Sequence, residues 1–68
     1  MIADQVEIPN LYILHNIEVW CAENIGPMAD GLKRVNKNRP WFRQWNYGNT
    51  VWYFADQESA TLFRLRWL

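Results

Sequence analysis

Trp41, Arg43, Trp45 and Tyr47 alternate with Phe42, Gln44 and Asn46. In an extended chain successive side chains point to opposite faces, so the first set shares one face. Aromatic rings interleaved with a guanidinium suit two chemistries. They stack on unpaired bases while the cation meets phosphate. Alternatively they anchor a protein interface, where Trp, Tyr and Arg dominate the binding energy. A second cluster, Lys33, Arg34, Lys37 and Arg39, places four positive charges in seven residues. Such a cluster contacts phosphates or steers an acidic protein surface toward the chain. Its plainest reading is a solvated loop.

Catalytic patterns are missing. His15 and Cys21 stand six apart and point to different faces of a helix. No third group is placed to orient them as a nucleophile and base. Cys21 falls on an apolar stripe and reads as core. One cysteine and one histidine cannot build a structural zinc site without several carboxylates. Glu18 and Glu23, five apart, do not share a helix face. Asp56 and Glu58 are accounted for by a helix start, and the scattered glycines form no phosphate cradle. We expect no enzyme, no metal and no cofactor.

With 68 residues, the chain is one domain, 1–68. Such a core alone rarely supplies more than ~3–5 kcal/mol. The single cysteine excludes an intramolecular disulfide. Stability must come from the five tryptophans, from self-association or from a partner. Seven basic residues balance seven acidic ones, which weighs against non-specific nucleic-acid binding. The charge is segregated, however: residues 1–30 hold five acids and no Lys or Arg, while 31–68 hold seven bases against two acids. A free thiol fits a reducing cytoplasm. Residues 1–9 carry Asp4 and Glu7 without a basic residue, unlike a secretory signal. No apolar run is long enough to span a bilayer.

The elements that must position these groups follow from period and punctuation. Val6 and Ile8 alternate with Gln5 and Glu7, the pattern of a short edge strand ended by Pro9. Residues 10–25 have the spacing of an amphipathic helix: Asn10 caps it, and Leu14, Ile17, Cys21 and Ile25 form the stripe, flanked by Ile13 and Trp20. Glu18 and Glu23 fall on the other side. Gly26-Pro27 stops the helix. Residues 26–40 form a polar connection, with Leu32 and Val35 suited to anchor a short strand or a turn of helix. Its length predicts a segment that is either mobile or functional. Residues 41–54 read as a β-hairpin whose turn is Tyr47-Gly48-Asn49-Thr50, with Gly48 and Asn49 at positive φ. Residues 56–67 read as a second helix, capped by Asp56. Its stripe is Ala60, Phe63 and Trp67, with Leu62 and Leu65 beside it. Phe42, Trp52 and Phe54 read as core. Trp41, Trp45 and Tyr47 read equally as core or interface, because alternation does not say which face is buried.

The expected fold is therefore a small two-layer α+β domain. It has an N-terminal helix, a β-hairpin and a C-terminal helix, and the N-terminal strand can join the sheet. A two-stranded sheet is marginal alone, so we expect a homodimer or an obligate complex.

The segment Val51-Trp-Tyr-Phe-Ala-Asp-Gln-Glu-Ser-Ala-Thr-Leu-Phe-Arg-Leu-Arg-Trp67 resembles the C-terminus of short accessory proteins of tailed bacteriophages. Glu18-Val-Trp-Cys-Ala-Glu-Asn-Ile-Gly26 has a similar flavour. The resemblance covers about a third of the chain. It implies a non-enzymatic protein of an infected bacterial cytoplasm that inhibits or modulates a host enzyme or defence complex. The expected contact surface is Trp41, Arg43, Trp45 and Tyr47 with Lys33, Arg34, Lys37 and Arg39, and the expected partner is a host protein. The alternative is a single-stranded nucleic-acid binder using the same residues.

Overall fold

The computed structural model describes residues 2–9 and 14–68. The alternation at Val6 and Ile8 builds β1 (Asp4–Pro9), with both side chains buried and Gln5 and Glu7 exposed. It is followed by α1 (Leu14–Asn24), a short 3-10 helix (Leu32–Arg34), β2 (Trp41–Trp45), β3 (Asn49–Phe54) and α2 (Gln57–Trp67). The sheet is antiparallel in the order β1-β3-β2. β1 therefore converts a marginal hairpin into a three-stranded sheet with β3 at its centre. The architecture is the expected small α+β domain.

Ile17 and Cys21 of α1 are buried, and Leu14, Trp20 and Ile25 pack around the same core. The proposed cap Asn10 and the flanking Ile13 lie outside the described residues. The helix ends as its punctuation requires. The N–H groups of Ile25 and Gly26 both donate to the Cys21 carbonyl, at 2.8 and 3.0 Å, and Gly26 takes φ +144°. At α2 the Asp56 carboxylate accepts from the Ser59 N–H at 2.7 Å, as expected of an N-cap. Ala60 and Phe63 are buried, but Leu62 and Leu65 are exposed. Each lies two positions beyond a buried residue, roughly 200° around the helix, and so faces solvent.

The hairpin turn sits one residue earlier than its sequence suggests. Asn46 and Asn49 exchange both backbone hydrogen bonds, at 2.8 and 3.3 Å, which leaves Tyr47-Gly48 as the loop. Only Gly48 is at positive φ, +79°; Asn49 already belongs to β3. This placement confines the left-handed backbone to glycine, where it costs least.

Register sorts the side chains. Trp41 pairs with Phe54, Arg43 with Trp52 and Trp45 with Thr50, and Val6 lies opposite Trp52 on the other flank. These share the face that α1 and α2 cover, and the core is built there. Phe42, grouped by sequence with Trp52 and Phe54, pairs with Tyr53 and points to the reverse face, where it is half-buried.

The connection 26–40 is built into the fold. Met28 bridges Trp41 in parallel, and the Ala29 N–H donates to the Trp41 carbonyl at 2.7 Å. The 3-10 helix packs on β2, and Ala29 and Val35 are buried. The Asn36 carboxamide oxygen accepts from the N–H groups of Asn38 and Arg39, at 2.7 and 3.1 Å, and closes the second bend. Folding also interleaves the charged halves: Asp4 with Arg64 at 2.8 Å, Asp30 with Arg39 at 3.8 Å, and Glu18 with Arg43. Among the described residues, no helix is long and apolar enough to cross a membrane.

Candidate functional site

The aromatic stretch divides along its length. Trp41 is 3% exposed, stacks on Trp52 at 5.8 Å and donates from Nε1 to the Gly26 carbonyl at 2.6 Å. It is a core residue and cannot serve as a surface anchor. Arg43 is half-buried, and its guanidinium is held by the Glu18 carboxylate of α1. Beyond this pair the cover ends. Trp45 is 55% and Tyr47 95% exposed, with ring centroids 5.8 Å apart. The sequence face of four thus becomes one core ring, one tethered cation and an exposed aromatic pair at the hairpin tip.

The basic cluster remains at the surface. Lys33, Arg34 and Lys37 are exposed and have no acidic partner among the described residues. Arg39 is turned inward toward its own loop: its guanidinium donates to the Met28 carbonyl at 3.0 Å and reaches Asp30. Because the 3-10 helix packs on β2, Lys33 and Arg34 lie on the β2 side of the sheet.

Set against protein-family models, curated proteins and solved structures, the chain matches none of them.

The helical spacing puts Glu18 on the solvent side of α1, yet Arg43 draws it into the α1–β2 seam. The available signal was charge segregation: a first half without bases must find its cations in the second. Two open grooves of about 400 Å³ flank the outer face of α1 and share His15 and Val19. Neither is lined by Cys21. Among the described residues no cluster of His, Cys, Asp and Glu is placed to hold a metal ion.

The Cys21 thiol is enclosed, and burial, reinforced by the nearby negative charge of Glu18, pushes its pKa from 9.0 up to about 12. It stays protonated at neutral pH, the unreactive form. The shift has a consequence for stability. The unfolded thiol ionises from about pH 9 and the folded one only near 12, so stability is intact below 9 and declines as pH rises between them. By roughly pH 10.5 this loss reaches about 2 kcal/mol. Urea denaturation across that range should show a steeper decline for the native chain than for Cys21→Ala. Parallel declines would refute the assignment.

Proposed function

We propose that the chain is a non-catalytic protein-binding module that contacts its partner through Trp45 and Tyr47. Lys33, Arg34 and Lys37 form the charged rim, and Arg39 is tied to its own loop beside them. The observation that carries this reading is the exposed aromatic pair. Trp41 and Trp52 are buried, and Trp20 and Trp67 pack against the core. A chain short of core area leaves one large ring half in water and a second almost wholly in water. Burial of those rings against a partner is a gain still open to the fold. The unpaired lysines and Arg34 favour an acidic partner surface. The finer reading, a phage-encoded modulator of a host enzyme or defence complex, is supported by the resemblance of the β3–α2 segment.

The test is capture by tagged protein from bacterial lysate, with and without nuclease, read by mass spectrometry. One stoichiometric protein should survive nuclease. The double variant Trp45→Ala/Tyr47→Ala should lose it at least about tenfold while keeping its circular dichroism and melting temperature. Loss of every partner on nuclease treatment would instead favour the nucleic-acid reading. Binding would then fall log-linearly with salt.

A further inference from the structure

We propose that the outer edge of β2 accepts an extended, acidic segment of a protein partner as an additional strand. This rests on the protein-binding reading and specifies its mode. In an antiparallel pair, residues alternate between bonding the neighbour and turning both backbone groups away. Asn46 and Asn49 form a bonded pair. Gln44 and Phe42 therefore bond β3, and Trp41, Arg43 and Trp45 turn their N–H and C=O groups outward. The chain itself uses the first of these positions. Ala29 donates to the Trp41 carbonyl at 2.7 Å, where Met28 runs parallel to β2, and beyond it the bridge does not continue among the described residues. The outward groups of Arg43 and Trp45 continue that line and have no backbone partner among the described residues.

The opposite edge is closed to the same use. On β1 the Gln5 N–H donates to the Asp4 carboxylate at 2.8 Å, and the Gln5 carbonyl accepts from Arg64 at 3.3 Å. Pro9 has no N–H to offer. Blocking an edge with charge and proline is how sheets prevent strand addition. β2 has no proline between Trp41 and Trp45, and its one charge, Arg43, is neutralised by the Glu18 carboxylate. Trp45 and Tyr47 project beside its open end and supply an apolar contact for the incoming side chains.

Charge selects the occupant. The 3-10 helix bearing Lys33 and Arg34 packs on β2, and Lys37 follows it. A second copy paired edge to edge would bring two such basic surfaces together, whereas an acidic segment neutralises one. In strand addition the main-chain bonds supply affinity and the alternate side chains supply specificity.

The probe is a library of random linear peptides of roughly ten residues. Selection should enrich Asp and Glu among β-branched residues. A chemically synthesised chain carrying N-methyl-Trp45 keeps the indole but loses the outward N–H. It should fold unchanged and bind the selected peptide at least about tenfold more weakly. On binding to the native chain, the Arg43 and Trp45 amides should gain protection from hydrogen exchange. Enrichment of basic peptides, or of none, overturns the proposal. So does equal binding by the N-methyl chain without new protection at these amides. If Trp45→Ala loses the lysate partner while N-methyl-Trp45 keeps it, strand addition fails and the protein-binding reading stands. If neither change matters, both fail.

Discussion

Trp52→Ala should abolish the cooperative thermal transition. Trp52 is fully buried, stacks on Trp41 at 5.8 Å and meets Phe63 at 5.3 Å. Phe63 in turn meets Phe54 at 5.0 Å and Trp20 at 6.3 Å, and Trp20 reaches Trp67 at 6.3 Å. Through Phe63 this series of rings joins β2, β3, α1 and α2. Removing a buried Trp costs about 3–5 kcal/mol, and a core of this size supplies ~3–5 kcal/mol in all. The same site has an internal control. The Trp52 Nε1–H is buried without an acceptor among the described residues, and such a donor costs about 1–3 kcal/mol. Trp52→Phe removes that cost and keeps an aromatic ring on Trp41 and Phe63. It should lose only about 1 kcal/mol and lower the melting temperature by roughly 4–8 °C. Melting by far-UV circular dichroism checks both. A Trp52→Ala chain that still melts cooperatively near the native temperature would show that the helices hold the sheet without this ring.

The elements were legible because their signals are local. Val6 and Ile8 give a two-residue period, Asp56 gives a cap, and Gly26-Pro27 gives a stop. Each reads correctly without knowledge of the rest of the chain. The buried face of the hairpin is a different kind of fact. Both alternating sets are aromatic, so the pattern carries two equivalent answers. The choice is made by the side on which α1 and α2 pack. Composition therefore groups Phe42 with Trp52, and register turns it away. The turn was displaced for a related reason: Tyr47-Gly48 and Gly48-Asn49 are both acceptable loops by composition. The first needs left-handed backbone only at glycine.

The candidate surface was legible as a face but not as a gradient. Alternation places Trp41, Arg43 and Trp45 together on the strand. It does not reveal that helix cover runs out between Arg43 and Trp45, leaving Trp41 at 3% and Trp45 at 55% exposure. The basic cluster read more directly, since charges without nearby acids stay in water. The open edge of β2 left no sequence trace. It depends on where Met28 and Ala29 dock, and nothing in a polar connection of Gly, Pro and Asn residues announces a bridge to Trp41.

That connection also gives Gly26 a second duty, and Gly26→Ala should cost about 2–3 kcal/mol. At φ +144° its backbone is in a region that residues with a Cβ rarely enter. A Cβ there would lie 3.1 Å from Cγ and 3.2 Å from Cδ of Pro40, tighter than ordinary contact. Pro40 has little room to retreat, because its carbonyl accepts the Ala55 N–H at 2.8 Å. The Gly26 carbonyl also receives the Trp41 indole at 2.6 Å. Strain at the end of α1 is therefore delivered to the Trp41–Trp52 stack. The melting temperature should fall by roughly 10–20 °C. Gly31→Ala is the matched control. Gly31 is extended, at φ −175°, and its Cβ would meet nothing within 4 Å. That substitution should be neutral or slightly stabilising, since it restricts only the unfolded chain. Equal shifts for the two variants would mean that Gly26 ends a helix and does no more. A large shift at Gly26 alone would place the α1 stop and the start of β2 in one cooperative unit.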